Sequence, residues 1–172
     1  MDACRLMMQV GGTELLSVQA HDGWTALHWA ASSGLDDLCI EMLAAGKAQL
    51  LSLPGADGAT ALHKAAWRGS EAVCRAMLAL GGSSLCMQQG SDGKTALHWV
   101  AERGLSELCL EMIRLGGRAL LLLVDTDGQN CLHVAAARGL EEACRDMVRV
   151  GGRDVLLAQV CSSAVVFNPA VR

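Results

Sequence analysis

The sequence predicts an all-α solenoid of stacked helix-turn-helix units, with turn or hairpin loops projecting along one edge. Three observations lead there. Asp-Gly recurs at Asp22-Gly23, Asp57-Gly58, Asp92-Gly93 and Asp127-Gly128, a step of 35 residues each time. Nine columns are identical in all four copies: in the first copy these are Asp22, Gly23, Leu27, His28, Ala31, Gly34, Cys39, Met42 and Gly46. Each copy also holds two short apolar patterns at helical spacing. One such unit cannot bury its own apolar face, so neighbouring units must stack and share a core.

Within a unit the elements follow in order. Asp22-Gly23-Trp24-Thr25 is a turn that ends on a hydroxyl at the N-cap position. Leu27, Ala30 and Ala31 form the buried stripe of the first helix, which Gly34 ends. The second helix begins near Leu35 to Asp37, with acids in its first turn where the macrodipole favours them. Leu38, Cys39, Met42 and Leu43 form its stripe and Gly46 closes it. Later copies double that stop as Gly81-Gly82, Gly116-Gly117 and Gly151-Gly152. A loop of about ten residues, apolar at Leu50, Leu51 and Leu53, then leads to the next Asp-Gly. Cys4, Met7 and Gly11 extend the pattern backwards. The array therefore spans 1–161, as a half unit at 1–21 and full units at 22–56, 57–91, 92–126 and 127–161, with a divergent tail at 162–172. Ragged ends of this kind imply a piece of a longer array or a short array frayed at its ends.

Asp22-Gly23-Trp24-Thr25-Ala26-Leu27-His28-Trp29-Ala30-Ala31 resembles the ankyrin-repeat signature Thr-Pro-Leu-His-x-Ala. The resemblance covers residues 1–161 and recurs four times. It implies a turn followed by two helices per unit, a structural histidine that ties the turn by hydrogen bonds, and a concave groove lined by turns and first helices. Ala26, Ala61 and Ala96 depart from the usual proline, and Asn130-Cys131-Leu132-His133 departs further. The period is 35 residues against about 33 for the family. The extra residues fall after the second helix, so the projecting finger should be longer or more irregular.

Composition narrows the function classes. The 172 residues are 52% hydrophobic and 19% charged, which excludes a disordered chain. A formal charge of −4 gives no basic face for nucleic acid. No apolar run is long enough to insert in a membrane, and the N-terminus shows no secretory pattern. The expected location is cytoplasmic or nuclear, with the eight cysteines reduced. The expected state is a monomer or part of a longer chain.

Chemistry-bearing residues mostly have structural explanations. His28, His63, His98 and His133 recur one layer apart, roughly 8–10 Å, too far for two to share a zinc with Zn–N near ~2 Å. The ladder of Cys4, Cys39, Cys74, Cys109 and Cys144 is too widely spaced for disulfides and reads as core, as does the parallel methionine ladder. Cys86, placed in a loop, is the expected reactive thiol. Gly90-Ser91-Asp92-Gly93-Lys94-Thr95 imitates the tail of a phosphate loop, but Gln88 stands where the motif needs glycine. Glu71 with Arg75 and Glu141 with Arg145 are i,i+4 pairs on a solvated face. No catalytic residue, metal or cofactor is expected.

Function should sit in the columns that vary. All four tryptophans, Trp24, Trp29, Trp67 and Trp99, fall in the turn and first helix. Their columns and neighbours add Ser33, Arg68, Lys94, Glu102, Arg103, Gln129 and Arg138, at positions the resemblance assigns to the groove and turn tips. Tryptophan and arginine are the types enriched at binding hot spots. The arginine line of Arg68, Arg103 and Arg138 suits an acidic or phosphorylated segment. The expected function is non-catalytic binding of a partner protein. The alternative is a spacer or targeting segment of a larger enzyme or channel.

Overall fold

A computed structural model describes residues 15–46 and 48–157. Most of the expected half unit, with Cys4 and Met7, and the expected tail 162–172 lie outside the described residues. Among the described residues the first helices are α1 (Ala26–Ser33), α3 (Ala61–Arg68), α5 (Ala96–Glu102) and α7 (Cys131–Ala137). The second helices are α2 (Asp36–Gly46), α4 (Glu71–Cys86), α6 (Ser106–Leu121) and α8 (Glu141–Gly151), followed by α9 (Arg153–Leu157). Short 3-10 turns span Leu15–Ser17 and Ala48–Leu50.

Each first helix packs on the first helix of the next unit, and each second helix on the next second helix. Two layers result, with the core between them. Leu27, Leu62 and Leu97 from the inner layer are fully buried, as are Cys39, Cys74 and Cys109 from the outer layer. Met42, Met77, Met112 and Met147 are buried alongside. Each such leucine or methionine contributes roughly 1.5–3 kcal/mol by leaving water. The repetition of one apolar column per layer is what makes the core continuous.

Thr25, Thr60 and Thr95 are buried N-caps, and the histidine three residues on closes each cap. The Thr25 N–H donates to Nδ1 of His28 at 3.1 Å, and Thr60 and Thr95 do the same to His63 and His98 at 3.1 and 3.2 Å. Asn130 replaces threonine in the fourth unit, and its Oδ1 accepts the His133 N–H at 3.2 Å. The weaker sequence match there still caps its helix.

The paired glycines stop the second helix only in the last full unit, where α8 ends at Gly151 with Gly152 as its C-cap. In the two units before it they kink the helix instead. Gly82 and Gly117 adopt φ 57° with ψ −151° and −154°, and helix resumes beyond each. Gly116 must also be bare, because a Cβ there would lie 2.5 Å from Cδ2 of Leu120. The cause is apolar: Leu85, Cys86, Leu120 and Leu121 are buried, and the extra turn folds them onto the core. The expected irregular finger is thus largely a helical turn.

The Asp-Gly turns form the projecting edge. Isolated antiparallel bridges join Gln89 to Thr95 and Val124 to Asn130. Successive turns are linked to one another as well. Ala56 N–H donates to the Asp22 carbonyl at 2.8 Å, Ser91 to Asp57 at 2.8 Å, and Thr126 to Asp92 at 2.9 Å. Among the described residues no helix is long and apolar enough to cross a membrane.

Candidate functional site

The turns present their tip residues through their own aspartates. Asp22, Asp57 and Asp92 each accept through Oδ1 the backbone N–H two residues on, at 3.0, 3.1 and 3.0 Å. This Asx geometry fixes where Trp24, Ala59 and Lys94 emerge. In the fourth unit Asp125 takes over, accepting from the Asp127 and Gln129 N–H groups at 3.0 and 2.8 Å. Gln129 is exposed, as predicted for a tip, and its carbonyl contacts Nε2 of His98 at 3.2 Å.

The histidines lock each turn to the next. Because Nδ1 accepts from the N-cap amide, Nε2 carries the proton. It donates from His28 to the Ala59 carbonyl at 3.2 Å and from His63 to the Gln88 carbonyl at 3.1 Å. Burial pushes the pKa of His28, His63 and His98 below the ordinary 6.5, so all three rings are neutral near pH 7. Both nitrogens of these rings are committed within the scaffold. Among the described residues no three His, Cys, Asp or Glu side chains gather to hold a metal.

A cavity of about 330 Å³ opens between the turns and first helices of the first three full units. Trp24, Trp67 and Trp99 line it, with Asp57, Lys64 and Asp92. Three of the four predicted tryptophans are thus brought together. Trp29 lies outside the cavity wall, 54% exposed, with its ring 4.5 Å from that of Trp24. Trp67 is 44% exposed. Trp99 is half-buried and packs on the core.

A cation stands against each cavity tryptophan. The Lys64 Nζ lies 4.4 Å above the Trp24 ring and 2.5 Å from Asp57 Oδ2. Burial opposes ionisation of Asp57, but the hydrogen bond from Lys64 and the Ala59 amide outweigh it and hold its carboxyl below the ordinary value. The Lys94 Nζ lies 4.4 Å above Trp99, and the Arg103 guanidinium 5.2 Å above Trp67. Neither Lys94 nor Arg103 lines the cavity.

The other predicted residues frame this centre. Glu102 holds Lys94 at 3.6 Å and Arg138 at 3.5 Å. Arg68 lies across Gly34, where its Nε would be 2.8 Å from any added Cβ. Ser33 is exposed at the end of α1. The predicted arginine line is therefore uneven: Arg138 is paired, whereas no carboxylate among the described residues forms an ion pair with Arg68 or Arg103.

Sequence reasoning missed Lys64, Asp57 and Asp92 as parts of the site. Lys64 shares a column with Trp29 and Trp99, which was the available signal. The aspartates belong to an invariant column and so looked purely structural.

The expectation for the reactive thiol is corrected as well. Cys86 is not a loop thiol but is buried at the end of α4, and burial pushes it up to about 11. Burial likewise pushes Cys39, Cys74, Cys109 and Cys131 up to about 12.

Two comparisons with known proteins bear on the chain. The family model described as ankyrin repeats (3 copies) matches residues 2–87. No curated protein matches the chain.

Proposed function

Because the chain belongs to the ankyrin-repeat family, whose arrays generally serve as protein-interaction modules, we propose that it binds a partner protein through its concave groove and turn tips. No chemical step is involved in this reading. The observation that carries it is the indole surface left open to water. Trp29 and Trp67 are 54% and 44% exposed; Trp67 walls the cavity with Trp24 and Trp99, and Trp29 stands against Trp24. Indoles are highly buried on average and dominate binding energy where a partner covers them.

Charge supports a mixed partner surface. Arg103 sits over Trp67, and Arg68 lies on the same helix as Trp67. These two guanidiniums lack carboxylate partners among the described residues, so an acidic or phosphorylated side chain suits that rim. Trp24, Trp29 and Trp99 supply apolar contact, while Ser33, Lys94, Glu102, Gln129 and Arg138 form a polar border.

Affinity capture with the wild-type chain beside a Trp24→Ala/Trp67→Ala variant identifies the groove's partner. Against that partner, Trp67→Ala should weaken binding by about 2 kcal/mol or more, roughly thirty-fold. Arg103→Ala should weaken it further and reduce its salt dependence. Affinity unmoved by substitutions at Trp24, Trp67 and Arg103 refutes the placement.

A further inference from the structure

We propose that the three-indole cavity is a subsite for an alkylammonium group, the head of a lysine or methylated lysine side chain carried by the partner. The inference rests on the binding role assigned above and adds the chemistry of one contact.

Three observations converge. The cavity wall carries Trp24, Trp67 and Trp99, whose π-faces attract cations. The same wall carries two carboxylates and one ammonium. Lys64 neutralises Asp57 at 2.5 Å, whereas no cation among the described residues forms an ion pair with Asp92. The cavity therefore holds one uncompensated negative charge among aromatic faces. The third observation is the position of Lys64 itself. Its ammonium already rests on an indole and against a carboxylate, 4.4 Å above Trp24. An internal ammonium has thus adopted, on Trp24 and Asp57, the geometry that the inference assigns to a ligand on the cavity wall beside Asp92.

The positive groups nearby do not reverse this balance. Lys94 is paired with Glu102, and neither Lys94 nor Arg103 reaches the cavity wall. They stand 4.4 Å over the Trp99 ring and 5.2 Å over the Trp67 ring. A partner segment would place its ammonium in the cavity and an acidic neighbour against Arg68 and Arg103.

Small probes test the cavity without a partner. Tetramethylammonium and butylammonium are titrated at constant ionic strength, with uncharged tert-butanol as the near-isostere. The readout is the four indole N–H resonances, of which Trp29 lies outside the wall. Both cations should shift Trp67 and Trp99 saturably, about ten-fold more tightly than tert-butanol, as one desolvated cation–π contact supplies. The tighter of the two identifies a methylated or a free lysine as the natural ligand.

Two variants sharpen the test. Asp92→Asn keeps the Oδ1 acceptor for the Lys94 amide and removes the charge, so it should weaken both cations several-fold. Lys64→Met removes the internal competitor and frees Asp57, so it should tighten both, an effect that misfolding cannot produce. Equal binding of tert-butanol, no saturable shift, or phosphate binding in place of the cations overturns the inference. If the cations fail while Trp67→Ala still abolishes partner binding, only this inference fails. If the cations bind while partner affinity ignores the tryptophans, the binding reading fails instead.

Discussion

Mild acid should destabilise this array well above the range where carboxylates titrate. His28, His63 and His98 are buried, their pKa values lie below 6.5, and each ring uses a bare Nδ1 to accept an N-cap amide. Protonation would turn that acceptor into a donor facing a donor. The unfolded chain titrates at the ordinary value of about 6.5. Below it the unfolded state binds more protons than the folded one, so stability falls as pH falls, down to the folded values. The unfolded value sets a ceiling: rings that stay neutral throughout cost at most about 1.2 kcal/mol each between about pH 7 and 5.5, or about 4 kcal/mol for three. That is a large share of the ~5–15 kcal/mol typical of a domain. Asp57, with its lowered pKa, loses its contribution only further down, as pH falls from its ordinary value of 3.8 through its folded value. The assay is urea unfolding followed by far-UV circular dichroism across this pH window. His98→Gln should remove about a third of the slope. An unfolding free energy constant from about pH 7 to 5.5, or a slope untouched by His98→Gln, refutes the reasoning.

Three further outcomes follow from local geometry. Thr60→Ala removes a buried cap and should lower stability by about 0.5–2 kcal/mol, with Thr60→Ser costing less than half of that, measured by thermal melts. Gly93→Ala forces a Cβ to 2.8 Å from the Asp125 Cα at φ 74°, whereas Gly139 has φ 70° and nothing within 4 Å. Both should destabilise, but Gly93→Ala by clearly more than the roughly 1 kcal/mol of strain alone, compared by Tm. Among the cysteines described, half-buried Cys144 should alkylate first under native conditions, with Cys74 and Cys131 protected, as read by peptide mass mapping after iodoacetamide.

The layered fold was legible because each layer repeats one decision. Leu27, Leu62 and Leu97 occupy one column and one environment, and so do Met42, Met77 and Met112. The histidine role was legible only through the family resemblance; spacing alone excluded metal without saying what the ring does. The glycine pairs Gly81-Gly82 and Gly116-Gly117 misled because glycine after a helix usually marks its end, as Gly151-Gly152 does for α8. What sequence pattern could not weigh was the pull of Leu85 and Leu120, which turns a stop into a kink by drawing the chain back onto the core.

The site was less legible, and for a different reason. Subtracting shared columns isolates residues that vary, which singled out the four tryptophans, three of which line the cavity. It discards residues that are shared and also functional. Asp57 and Asp92 close their own turns through Oδ1, so the fold alone explains why they recur. Yet the stacking of one turn on the next, through Ser91 N–H to the Asp57 carbonyl, brings both into one wall. A cavity of this kind belongs to no single unit. It arises from the offset between units, so Trp24, Trp67 and Trp99 come from three different copies, and from two different columns of the first helix as well as the turn tip. Repetition therefore places the scaffold, and departures from it place the aromatic walls. The charge inside is set by invariant aspartates that lysine has matched in one unit, at Lys64, and left unmatched in the next, at Asp92.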